Sequence, residues 1–161
     1  MNFPSGTSFK PSSIGSLWGA HTFGRPAVEV SSNLVGSLPE ETVGVLGTAT
    51  GSSHILSPLV VTGKSGVRHS FTLGIKDTVS VVLACDIVVG PSPIDETKVL
   101  ALFIKVYDVN ARQVVLCGVP SFTREAMKLA SQYKMVVLEA PEKDQVIAKL
   151  SNTLRELSTE K

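Results

Sequence analysis

Among the 161 residues, Asp86 is the side chain whose setting asks most for a chemical explanation. It lies in Ala84-Cys85-Asp86-Ile87-Val88, on the semi-polar strand face that also carries Ser80, Val82, Ala84 and Val88. Two readings of it stand: an ordinary ion pair with Arg68 on a neighbouring strand, or the remnant of a metal or phosphate site. His69 falls among alternating apolar positions, where a neutral imidazole with one satisfied hydrogen bond is the plain expectation. Cys85 and Cys117 lack the exposed, basic setting that makes a thiol reactive and read as small core residues. Gly63-Lys64-Ser65-Gly66 follows the apolar Leu59-Val60-Val61 in the manner of a phosphate-binding loop. Pro58 stands where that loop needs its first glycine, and a strand rather than a helix follows, so the segment reads as a glycine-rich turn. Lys98 and Lys105 are seven residues apart, on one helix face and about 10 Å from each other, too far for one phosphate or one metal ion.

The elements that must position these residues are legible from Gly63 onward. Val67, His69, Phe71, Leu73 and Ile75 alternate with polar neighbours, and Val79 to Val89 repeats that period of two. Two such strands so close in sequence pair as an antiparallel hairpin. Keeping both apolar sets on one face places Leu73 opposite Leu83, Thr72 opposite Ala84, Ser70 opposite Asp86 and Arg68 opposite Val88, with Asp77-Thr78-Val79 as the loop. Ser92-Pro93-Ile94-Asp95 opens a helix whose apolar residues, from Val99 to Val109, surround most of its girth. Gln113 to Val119 reads as a central strand. Thr123 caps a helix with Ala126, Met127, Leu129, Ala130 and Tyr133 inward and Glu125 and Lys128 outward. Met135 to Leu138 is a buried strand, and Pro141 begins a last helix striped by Val146, Ile147, Leu150, Leu154 and Leu157. The expected class is α/β, with a mixed central sheet, helices on both faces and the order β-β-α-β-α-β-α.

Before this core the composition changes. Residues 1–63 hold nine of the 13 glycines and five charged residues, so residues 1–62 are expected as a glycine, serine and proline-rich lead-in and residues 63–161 as the domain. Met1 to Ser16 lacks periodicity. Trp18, Phe23 and Ala27-Val28-Glu29-Val30 form an apolar cluster, and residues 17–30 are a candidate partner-binding segment. Val43 to Leu46 and Ile55 to Val61 are short strand candidates. A net charge of +1 provides no general field to hold a polyanion, so any nucleic-acid contact rests on placed residues. No apolar run reaches the roughly 18 residues of a membrane span. With two cysteines and no secretory leader, a cytoplasmic protein with free thiols and no membrane partner is expected.

Gly63 to Phe71, Ala84 to Val88, Phe122-Thr123-Arg124-Glu125-Ala126-Met127-Lys128-Leu129-Ala130 and Val136 to Glu139 together resemble the restriction-endonuclease-like, or PD-(D/E)XK, fold. The likeness is to its Mrr and archaeal Holliday-junction-resolvase branch and runs from Lys64 to Ala140. In that family a hairpin carries an Asp and then Glu-x-Lys, and a Phe-Thr/Ser-x-x-Ala helix precedes the last strand. The resemblance implies a site in which two carboxylates hold Mg²⁺ and a lysine stabilises the attacked phosphate. Here Thr72 stands in place of the Asp, Asp86 in place of the Glu and Val88 in place of the Lys. Lys105 is the candidate substitute for the lysine, while Asp77 falls in the hairpin turn and Asp95 reads as a cap.

With one carboxylate in place of two, the resemblance implies the scaffold of a nuclease more than its activity. The first expectation is a catalytically silent module, a pseudo-enzyme without cofactor. It acts by binding DNA or other nucleic acid in a regulatory or repair setting, or a protein partner, and it is a homodimer. Arg68, Lys64 and Lys98 are its candidate nucleic-acid contacts. The alternative is an active Mg²⁺-dependent DNA endonuclease with Asp86 as metal ligand and Asp86 and Lys105 as catalytic residues. A third reading is a small ligand-binding domain whose Val119-Pro120-Ser121-Phe122-Thr123 turn offers helix N-terminal amides to an anion.

Overall fold

The computed structural model describes residues 38–50 and 54–159, all within the compact unit Ser31–Lys161. The tail Met1 to Ser16 and the candidate partner segment 17–30 lie outside the described residues. Element order is α1 (Glu40–Thr50), β1 (Ile55–Leu56), β2 (Leu59–Thr62), β3 (Arg68–Phe71), β4 (Leu73–Lys76), β5 (Val81–Val89), α2 (Glu96–Val109), β6 (Gln113–Val119), α3 (Arg124–Gln132), β7 (Val136–Glu139) and α4 (Lys143–Thr159). The protein is thus mixed α/β, with a five-stranded sheet in the order β1-β4-β5-β6-β7 and a separate two-stranded ribbon, β2-β3. β4 pairs antiparallel with β1 and β5, while β6 runs parallel to β5 and β7.

Alternation along the central strands feeds two cores. Leu83, Cys85 and Ile87 of β5 face one cluster with Leu46 of α1 and Val146, Leu150 and Leu154 of α4. Ala84 and Val88 face the other, with Val99, Leu102 and Val106 of α2 and Ala126 and Ala130 of α3. Burying each such aliphatic side chain contributes roughly 1.5 to 3 kcal/mol, so β5, covered on both sides, is the keel of the molecule. Asp86 shares the phase of Ala84 and Val88 and therefore points to the α2 side.

Several expectations are corrected. Val43 to Leu46 is helical: acidic Glu40 and Glu41 suit a helix start, and Leu46 is the side chain that α1 buries completely. Residues 38–62 supply α1, β1 and β2, and Leu38 and Ile55 join the first core cluster, so this part of the lead-in is built into the fold. The strand expected from Val67 to Ile75 is two strands, kinked at Thr72. Phe71 belongs to the α2-side core and Leu73, two residues on, to the α4-side core, which a straight strand does not allow. β3 leaves the sheet to pair with β2, with Phe71 opposite Leu59 and Arg68 opposite Thr62. Only β4 pairs with β5, and Leu73 faces Cys85 rather than Leu83. That slip of two keeps every face, because the side-chain period is two, and a bulge after Ile75 absorbs it.

Among the helices, α2 starts at Glu96 because Asp95 itself is the N-cap, accepting from Thr97 N–H at 3.1 Å. Asn110, left-handed with φ 55°, ends it. Thr123 caps α3 through Ala126 N–H at 3.1 Å, but Met127, expected inward, is exposed. α4 begins at Lys143, just after Pro141.

Candidate functional site

The kink at Thr72 organises the polar interior. Because β4 begins at Leu73, the Ile87 N–H of β5 has no strand partner there, and Thr72 Oγ1 accepts it at 3.2 Å. Thr72 N–H in turn donates to Asp86 Oδ1 at 2.9 Å, and Thr72 O accepts from Ser57 Oγ at 2.6 Å. Asp86 is buried, its side chain 3% exposed. Its second oxygen, Oδ2, meets Lys105 Nζ of α2 at 2.8 Å. The same ammonium donates to Ser70 O at 3.0 Å and lies 5.4 Å from the centre of the Phe71 ring. Each charge is therefore neutralised and hydrogen-bonded, the condition on which a buried ion pair is tolerated.

Of the residues singled out from sequence, Asp86 and Lys105 meet, although they are 19 apart in the chain. Arg68 does not reach Asp86: it is exposed on the ribbon, opposite Thr62, and the expected Arg68 ion pair is replaced by Lys105. Lys64 is exposed at the ribbon tip. Lys98, expected on one helix face with Lys105, lines a cavity of about 110 Å³ with Val88, Gly90 and Asp95, while Lys105 turns inward. The Lys64, Arg68, Lys98 set is thus split between the ribbon and the C-terminal end of β5.

His69 is not in the core. It sits on the ribbon, its Nε2 2.6 Å from Asp108 Oδ2. Asp108 also accepts from Ser65 N–H at 2.8 Å and from the Ser65 hydroxyl, and its backbone carbonyl accepts from Lys64 N–H. The Ser65 hydroxyl above all, then His69, hold the Asp108 carboxyl down at about 2. From sequence alone Asp108 is a charged interruption of an apolar helix; its place three residues after Lys105, on the same face of α2, is the available signal. Cys85 and Cys117 are buried free thiols with sulfurs 3.9 Å apart, and the contact with Cys117, followed by burial, pushes the Cys85 thiol well up. A second residue that sequence reasoning misses is Glu139, whose Oε2 accepts from Phe122 N–H at 2.9 Å. It sets a carboxylate beside the turn expected to receive an anion.

The donor set does not fit Mg²⁺. Asp86 Oδ1 accepts from Thr72 N–H and Oδ2 from Lys105, and among the described residues no three His, Cys, Asp or Glu side chains gather around a common point that could supply Mg²⁺ with further ligands. The positive charge beside Asp86 is the Lys105 ammonium.

Fold and site together define a mixed-sheet α/β protein with a closed, internally neutralised Asp–Lys pair. No protein-family model matches the chain, and a search of curated proteins finds no significant match. Among solved structures the chain is similar to Protein of Unknown Function AF1548, with a TM-score of 0.48 and 11% identity over 67% of each chain.

Proposed function

We propose that this protein is a non-catalytic module on a restriction-endonuclease-like scaffold that acts by binding a protein partner, and that it works as a homodimer. The observation that carries the reading is the state of Asp86: a buried carboxylate that holds Thr72 N–H on one oxygen and the Lys105 ammonium on the other is already neutralised from within the protein. Protein is favoured over nucleic acid by the outward face of α2. Leu100, Ile104 and Tyr107, at helical spacing, are exposed there, Ile104 by 64% and Tyr107 by 75%. A net charge of +1, with Lys64 and Arg68 apart from Lys98, supplies no continuous basic track.

One observation favours the active alternative: Asp86 and Lys105, the two groups it requires, are in contact. Incubation of supercoiled and branched DNA with the protein in Mg²⁺ or Mn²⁺ decides between them. The expected result is no cleavage above that of Asp86→Ala. Metal-dependent cleavage that disappears in Asp86→Ala overturns the proposal.

A further inference from the structure

The β2-β3 ribbon stands apart from the main sheet, and what holds it to the body differs between its base and its tip. At the base, Leu59 and Phe71 are buried in the α2-side core. Beyond them Val61 packs partly against the same core, while Thr62, Lys64, Ser65, Gly66, Val67 and Arg68 are exposed, so no buried apolar side chain holds the outer turn down. Its attachment is polar and converges on one residue of α2. Asp108 takes Ser65 N–H, the Ser65 hydroxyl and His69 on its carboxylate, and Lys64 N–H on its carbonyl. Gly63 is shaped to this contact: a Cβ there would run into the Asp108 carboxylate. Three residues before Asp108, Lys105 donates to Ser70 O at the foot of the same ribbon. The segment Ser70-Phe71-Thr72 thereby covers the Asp86–Lys105 pair, with the Lys105 side chain 23% exposed.

We infer that the β2-β3 ribbon is a strap hinged at Leu59 and Phe71 and latched at its tip by Asp108, and that releasing the latch draws Ser70 away and uncovers Lys105. Polar contacts at an exposed tip open at far lower free energy than a packed core, so the ribbon opens as a local unit while the five-stranded sheet stays intact. The inference does not depend on the non-catalytic reading: a strap would gate the pair equally in an enzyme.

Two variants weaken the latch from opposite sides, Asp108→Ala from α2, which removes every side-chain acceptor, and Gly63→Ala from the ribbon. The readouts are amide hydrogen exchange by NMR and acylation of Lys105 by an N-hydroxysuccinimide acetate ester, located by mass spectrometry. The expected result in both variants is at least 10-fold faster exchange at Lys64 and Ser65, whose N–H groups donate to Asp108. Acylation of Lys105 rises several-fold, and the Val88 and Leu116 amides of the central strands are unchanged. Freed tip amides with an unaltered Lys105 acylation rate overturn the strap, as does acceleration of the central-strand amides in parallel. Unmodified protein provides an independent measurement: Lys64 and Ser65 share one opening free energy below that of Val88 and Leu116, and equality of the two sets overturns the inference without any variant.

Discussion

Asp86 and Lys105 stabilise the protein only as a pair. Removing one partner of a buried ion pair strands the other, which typically costs about 3 to 5 kcal/mol, whereas replacing both with apolar groups of similar size is often close to neutral. Lys105→Ala leaves a carboxylate 3% exposed with one oxygen unpaired, so a loss of roughly 3 kcal/mol or more is expected in urea unfolding. The double variant Asp86→Leu/Lys105→Met is expected to lose less than the sum of its single changes, and additivity of the two would show that the charges do not interact. Thr72 completes this unit, because its hydroxyl does for Ile87 N–H what a longer β4 would do. The carboxylate is recognisable in the sequence as a charge inside an apolar strand. Its partner is not, since Arg68 and Lys105 are both within reach of a sterically sound register, and the kink at Thr72 chooses between them.

At the scale of the element, the ribbon and α2 are joined through a titrating group, which gives their contact a definite pH dependence. The Asp108 carboxyl is held at about 2, below its ordinary 3.8, so its contribution is fully present above about 4 and is lost as pH falls toward 2. Titration followed on the side-chain carboxyl carbon is expected to give a midpoint near 2 for Asp108. Ser65→Ala is expected to raise that midpoint, because the Ser65 hydroxyl is the largest cause of the shift; a midpoint near 3.8 in the unmodified protein would refute the contact. The helices from α2 onward are readable from caps and spacing: Asp95 and Thr123 both accept N-cap bonds. α1 is not, because Gly44 and Gly47 and the β-branched Val43 and Val45 weaken its propensity, and packing of Leu46 against α4-side residues decides its form. The β3/β4 break is equally hidden, since Arg68 to Lys76 alternates without interruption and the change of phase depends on which core each half meets.

For the whole molecule, two apolar cores sandwich one sheet, and the outward face of α2 is left uncovered among the described residues. If a second copy covers it, Ile104→Glu is expected to turn a dimer into a monomer in sedimentation equilibrium. Stability measured on the monomer should change by no more than about 0.5 kcal/mol, because Ile104 is 64% exposed. A monomeric unmodified protein, or a dimer unaffected by the change, would place the interface elsewhere.

By itself the sequence determined what short-range periodicity controls: an α/β chain with β5, β6 and β7 separated by helices, their faces, and Asp86 as the carboxylate that asks for a partner. Only the tertiary structure decided which cation neutralises that charge, where the first strand breaks, and that His69 and Ser65 converge on Asp108 from more than 35 residues away. Strand and helix period are set by neighbours along the chain. A register slip of two leaves the pattern unchanged while moving every partner, so pairings between elements are settled by packing alone.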